Sequence, residues 1–256
     1  MNLRVSYAGG YRAPQAFDED MHIAVVGGKR VRIRLADDLK EERSHSVSLS
    51  ADLYHNFGRV QTNLLVEGFY TILDDVFALR DLEDTDDGGK IKERYNGSGA
   101  AVRGFNVEGR AIFTRWFELQ AGVTLQQSRY KEPEQWSEDA DVPPVRRMFR
   151  TPDAYGYFTA SFKPVRNFTA DLTGTCTGSM LVQHMAGSGV AQDAAVSTPS
   201  FFDMNVRLSY DLRIYKEITL QLYGGVQNLF NAYQKDFDKG ADRDSGRSEE
   251  HTSELQ

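Results

Sequence analysis

Along residues 167–179, NFTADLTGTCTGS, every second position from Phe168 is apolar or small: Phe168, Ala170, Leu172, Gly174, Cys176 and Gly178. The positions between are polar throughout: Thr169, Asp171, Thr173, Thr175, Thr177 and Ser179. A period of two sends alternate side chains to opposite faces of an extended strand. The same alternation runs through residues 3–10, 46–57, 60–72, 103–114, 117–128, 154–164, 201–213 and 218–230. Helical spacing is sustained nowhere. The pattern predicts an all-β chain of about nine strands, each with one greasy side and one wet side.

The connections carry a second pattern. Four are tight: Phe57–Val60, Thr114–Phe117, Pro164–Asn167 and Arg213–Glu217. Long polar stretches separate them, at residues 11–43, 74–92, 130–148 and 180–198. Short and long connections alternate. An antiparallel meander with short turns at one end and long loops at the other is the layout of an outer-membrane β-barrel. Long loops without secondary structure would otherwise count against the strands. A two-sheet soluble sandwich explains the alternation equally well, but nothing makes its loops alternate in length.

Composition narrows the choice. The 256 residues carry a net charge of -7, which argues against a nucleic-acid partner. No run of eighteen apolar residues exists, so a membrane-spanning helix is excluded. Spanning strands are only half apolar and remain open. Glu67, Glu108, Asp171, Asp203 and Arg207 fall mid-strand on the wet side. Unpaired charge inside a small closed barrel would cost several kcal/mol or more. A wide barrel has a wet or plugged lumen that tolerates it. The greasy side then faces lipid, and these five residues are the candidates to meet a plug or a solute. Trp116, Tyr215 and Phe57, in the tight turns, would form part of an aromatic girdle.

Three elements resemble a known family. LRVSYAGGYRAPQAFDED, residues 3–20, is similar to the strand-then-loop segment of TonB-dependent outer-membrane receptors, with Arg12, Ala13 and Pro14 as its Arg-Ala-Pro element. RYNGSGAAVRGFNVEG, residues 94–109, resembles their Asn-x-Gly strand. GGVQNLFNAYQKDFD, residues 224–238, resembles their penultimate strand, with Asn228, Leu229 and Phe230 in its Asn-Leu-Phe element. The wording is closest to receptors of the Bacteroides group. The resemblance implies a transmembrane antiparallel meander within a 22-stranded barrel, of which residues 1–246 hold about nine later strands without the last. It also implies an outer-membrane active importer and not an enzyme. Its partners would be outer-membrane lipid, a plug domain of the same receptor, the TonB complex through the receptor's N-terminus, and a scarce ligand such as an iron chelate, cobalamin or glycan. Residues 247–256, RSEEHTSELQ, resemble a translated sequencing adapter and are expected to be a non-native tail.

Motifs for other chemistry are absent. The chain has no His-Glu-x-x-His, Cys-x-x-Cys, Gly-x-Ser-x-Gly or Walker loop, so no catalytic, cofactor or metal residue is assigned. Cys176 is the single cysteine and belongs to a greasy face. His22, Trp136, Arg146 and His184 fall in the long loops and are candidates to touch a ligand from outside, alongside Arg147. The acidic stretches 81–89 and 132–141 lack EF-hand spacing. An outer-membrane barrel enzyme or porin, and a soluble carbohydrate-binding β-sandwich, are the competing readings.

Overall fold

The computed structural model describes residues 1–14, 31–84, 90–137, 139–184, 186–187 and 190–233. Fifteen strands are described. The first eight are β1 (Asn2–Arg12), β2 (Val31–Leu35), β3 (Glu42–Phe57), β4 (Val60–Asp74), β5 (Phe77–Asp84), β6 (Lys90–Asn96), β7 (Ala100–Thr114) and β8 (Phe117–Glu134). The rest are β9 (Val145–Arg147), β10 (Ala154–Val165), β11 (Phe168–Thr177), β12 (Leu181–His184), β13 (Ala194–Ser197), β14 (Phe201–Tyr215) and β15 (Ile218–Val226). One antiparallel sheet runs β1-β3-β4-β7-β8-β10-β11-β14-β15, with β9 attached to β8. These nine wall strands are the nine that the alternation predicts.

The four tight connections are two-residue hairpins, closing Phe57 on Val60, Thr114 on Phe117, Val165 on Phe168 and Tyr215 on Ile218. The first needs Gly58 at φ 62, the left-handed conformation that favours glycine. The last two turns lie slightly later than expected. β10 continues past Pro164 through a register shift between Phe162 and Val165, a place where a missing backbone donor is tolerated.

Registry aligns the faces across the sheet. Leu3, Ala51, Val66, Val107, Val123, Gly156, Cys176 and Phe202 form one unbroken apolar row. Slipping any strand by one residue would drive polar side chains into it. Aromatic rings cover glycines on neighbouring strands. A methyl group at Gly122 would stand 2.6 Å from the Tyr157 ring, so that position admits no side chain while the ring stays in place.

The apolar face has no covering layer among the described residues. Among the described residues the buried apolar side chains number five, Ala36, Ala100, Val142, Ala160 and Val182, and of these Ala160 alone belongs to that face. Leu49, Phe105, Leu125 and Leu222 are each more than half exposed. A continuous exposed apolar sheet is unsuited to water and suited to lipid. Tyr7 and Tyr70, in one register row, mark its upper edge. Phe113, Phe117 and Phe162 stack at the turn end, with ring centroids 5.2 and 4.8 Å apart, and Trp116 lies 6.0 Å from Phe117. From Tyr70 to Val60 along β4 the band is about 25 Å tall, for a rise of roughly 3.3 Å per residue and a tilt near 40°.

The long connections differ from expectation. They hold six short strands: β2, β6 and β5 in one sheet, β12 with β13 in another, and β9 on β8. One pairing is non-local, the parallel β2–β6 ladder, and the charge-rich sequences of β5 and β6 hide their alternation. The final wall strand also stops at Val226, short of the Phe230 that alternation suggested.

β1 and β15 each have one strand partner among the described residues, so the sheet presents two unpaired edges. Such edges are untenable in lipid and aggregation-prone in water. Residues 1–256 produced alone are therefore expected to collect in inclusion bodies. A monodisperse folded monomer in detergent-free buffer, seen by size-exclusion chromatography with light scattering, would contradict the membrane assignment of the apolar face.

Candidate functional site

The wet face is a bonded surface. Glu67, on β4, accepts from the Asn106 amide at 3.0 Å, and Asn106 accepts from the Thr124 hydroxyl at 2.9 Å. Glu108, on β7, accepts from Gln120 at 2.8 Å, and Gln120 also reaches the Tyr157 hydroxyl at 3.2 Å. Asp171, on β11, accepts from Ser161 at 2.6 Å and lies opposite Arg207 of β14 in register. The Arg207 guanidinium sits 4.7 Å over the Tyr223 ring. Asp203 accepts from Asn205 at 3.0 Å, while its other oxygen, Oδ1, is buried without a hydrogen-bond partner. All five charged candidates share this face. It presents fixed carboxylates and amides that a hydrated solute or a docked domain can exchange for water.

At the upper end, motif residues tie loops to the wall. Asn96 accepts from the Lys40 backbone N–H at 2.7 Å and donates to the Lys40 carbonyl at 3.0 Å. It also donates to the Asp75 carbonyl at 2.7 Å. One amide thereby ties two connections to the end of β6. Gly99, three residues on, has φ 84, and a side chain there would overlap the Leu73 carbonyl. Arg12 lies 5.7 Å over the Phe77 ring, with Arg94 at 5.8 Å. Ala13 and Pro14 follow the end of β1 and are exposed.

Asn228 closes the opposite edge. Its φ is 50, which asparagine tolerates better than most residues. Its backbone N–H donates to Asn205 Oδ1 at 2.8 Å, and its side chain exchanges two bonds of 2.7 Å with the Ala232 backbone. The adjoining Leu229 N–H donates to the Met204 carbonyl at 2.8 Å, and Phe230 lies 6.3 Å from Phe202. The Asn-Leu-Phe element is thus a latch on β14, and sequence reasoning, which placed it within a strand, missed that role.

The outer-loop candidates have unequal access. His184 is buried at 6% exposure, on β12. Trp136 packs edge-on against Phe149 at 5.5 Å, with its indole Nε1 buried. Arg146 is exposed, whereas Arg147 donates to the Ser179 carbonyl at 2.6 Å and pairs with Asp153 at 3.1 Å. Ser137 donates to Asp193 at 2.6 Å, joining the last two long connections. His22 and residues 247–256 lie outside the described residues. Among the described residues, no group of three or more His, Cys, Asp or Glu is placed to hold a metal ion.

The family profile described as "TonB dependent receptor-like, beta-barrel" matches residues 1–229. No curated protein sequence matches the chain. Among solved structures, it is similar to the siderophore receptor PirA from Pseudomonas aeruginosa, with TM-score 0.60 and 14% identity over 89% of this chain and 36% of that one. It is similar to the FrpB iron transporter from Neisseria meningitidis, with TM-score 0.59 and 18% identity over 92% of this chain and 33% of that one. It is also similar to the ferric-catecholate import receptor Fiu from E. coli K12, with TM-score 0.55 and 16% identity over 89% of this chain and 28% of that one. The chain spans about a third of the length of these structures.

Two outcomes are expected at the upper end. Asn228→Ala, in a complete receptor carrying this chain, should loosen the 228–232 latch by roughly 2 kcal/mol. That loosening is read as ~30-fold faster amide exchange at Ala232; unchanged exchange would refute the latch. Burial raises the Glu134 carboxyl above its ordinary range. A raised folded pKa contributes stability that is present at low pH and lost as pH rises through it. Protection factors around residues 130–134, with the intrinsic pH dependence of exchange divided out, should therefore be higher at pH 4 than at pH 7, and Glu134→Gln should flatten the difference.

Proposed function

Since this chain belongs to the TonB-dependent receptor-like β-barrel family, we propose that it forms the later wall of an outer-membrane receptor that imports a scarce ligand under TonB drive. The family match over residues 1–229 carries this reading. Location in the outer membrane of Gram-negative bacteria goes with the family. The apolar face meets lipid and the wet face lines the lumen. The long connections, stitched to one another by Asn96, Arg147 and Asp193, form part of the mouth that captures ligand. A plug domain of the same receptor would sit against the wet face, with Glu67, Glu108, Asp171, Asp203 and Arg207 as its contacts or those of the passing solute. The TonB complex would act on that plug through the receptor's N-terminal segment.

The chemistry assigned to the chain is transport and not catalysis. Carboxylates on the wet face are held by amides and hydroxyls, an arrangement suited to exchanging hydrogen bonds with a moving polar surface. Asp203 is the favoured contact, because its Oδ1 lacks a partner. Likeness to siderophore and iron receptors favours an iron chelate over cobalamin or a glycan as cargo.

Deleting the gene should abolish growth on a ferric chelate as sole iron source, and the intact gene should restore it only in a strain with a working TonB complex. Asp203→Ala should cut uptake several-fold at unchanged receptor abundance in the outer membrane. Growth that ignores both the gene and TonB would refute the import reading.

A further inference from the structure

The turn end of the wall carries a charge pattern that the import reading does not use. Each two-residue turn presents one cation: Arg59, Arg115, Arg166 and Lys216 in chain order. Lys163 and Arg213 stand just before the last two turns. All six are exposed, and Glu217 is the one carboxylate within the four turns. The whole chain carries a net charge of -7, so this rim reverses its sign. A two-residue turn has no slack, which holds each cation at a fixed height under the wall.

The fold does not neutralise these charges. The side chains of Arg59, Arg115, Lys163 and Arg166 make no hydrogen bond or ion pair with any described residue. Lys216 lies 5.2 Å over the Tyr215 ring, and Arg213 donates from Nε to the Lys216 carbonyl at 2.7 Å. Neither contact brings a carboxylate. Carboxylates low on the wet face already have partners: Glu118 pairs with Arg110 at 2.5 Å, and Asp211 accepts from Gln221 at 2.9 Å. Lys163 continues the wet positions of β10 past Ser161, and Arg213 those of β14 past Asp211. These two lie on the lumen side of the wall, away from the surrounding lipid. Consecutive turns are two strands apart, roughly 12 Å along the rim for a strand spacing of about 4.8 Å and a tilt near 40°. The cations therefore stand in a row, one per hairpin, and not round a single anion.

We infer that this rim docks the barrel on the cell-wall polymer beneath it, a glycan whose peptides carry free carboxylates, with Arg59, Arg115 and Arg166 as the main contacts. The inference rests on the outer-membrane reading above, which puts the tight turns in the periplasm. Charge complementarity selects an anionic partner. The spacing in a row selects a polymer with repeated carboxylates over a small anion. The lumen-side cations select a partner below the barrel over lipid beside it. A single exposed ion pair is worth little, so the contacts act together and weaken with salt.

The test uses the complete receptor carrying this chain, purified in mild detergent and sedimented with insoluble peptidoglycan sacculi. The wild type should co-sediment at low salt and be released in about 1 M sodium chloride, where the screening length is about 3 Å. Arg59→Glu, Arg115→Glu and Arg166→Glu together should cut co-sedimentation about tenfold, and Arg115→Ala alone by less than about threefold. Lysine at the same three positions should keep most of the binding. Amidating the carboxylates of the sacculi should abolish it. The positions are exposed turn tips, so the variants should fold, which heat-modifiable migration on gels checks. Equal co-sedimentation by the wild type and the triple glutamate variant would overturn the docking rim. Binding to phosphatidylglycerol vesicles, or to soluble polyglutamate, without binding to sacculi would overturn the choice of partner. Membrane fractionation comes first: a receptor absent from the outer membrane overturns the location, whereas one present there that ignores sacculi overturns only the docking.

Discussion

One constraint organises this chain: within a bilayer, every backbone N–H and C=O must be bonded by the chain itself. A sheet meets it only through continuous ladders, and the nine wall strands run in unbroken neighbour-to-neighbour pairing from β1 to β15. Once the ladders are fixed, the pleat dictates the rest. Side chains must alternate, so one face can be sorted for lipid and the other for water. The row from Leu3 to Phe202 and the bonded set around Glu67 and Glu108 are two sides of one backbone arrangement. Neither face could change its character without a one-residue slip that would invert both.

The two ends of the wall do different work. At one end, two-residue turns hold the strands at minimal length, and stacked Phe113, Phe117 and Phe162 fix the interface. At the other end the chain leaves the ladder and builds structure from side-chain bonds to backbone. Asn96 substitutes for a stretch of strand by bonding both backbone groups of Lys40. Arg147 and Asp193 draw later connections together. Ladder bonds shielded by lipid are costly to open, whereas these loop bonds lie in water and exchange more readily. A mouth that must admit a ligand is better built from the second kind.

Much of this was legible in the chain because period-two alternation is local. NFTADLTGTCTGS specifies its own two faces, and its partners bring matching rows. The four tight turns were legible for the same reason. The loop strands were not: KIKERYN has no clean apolar face, its neighbour FALRDLED is equally charged, and its parallel partner VRIRL lies far away in sequence. The wet-face charges were legible as a set but not as bonds, since nothing in Glu67 announces Asn106. Asn228 shows the limit of pattern reading. The alternation was read through it to Phe230, yet the strand ends at Val226 and Asn228 takes a left-handed backbone just beyond. His184 and Trp136 looked like surface residues because their loops are polar, whereas their packing depends on β12, β13 and Phe149, which only the fold brings together.

The central claim is that the apolar face meets lipid and the wet face meets water. Its most direct test is a nitroxide scan along β7 in the complete receptor, reconstituted in bilayers, one residue at a time from Gly104 to Gly109. Collision with oxygen, which favours lipid, should peak at Phe105, Val107 and Gly109. Collision with a water-soluble nickel chelate should peak at Gly104, Asn106 and Glu108. Two opposed curves of period two are the predicted result; uniform access to the nickel chelate at all six positions would contradict the account.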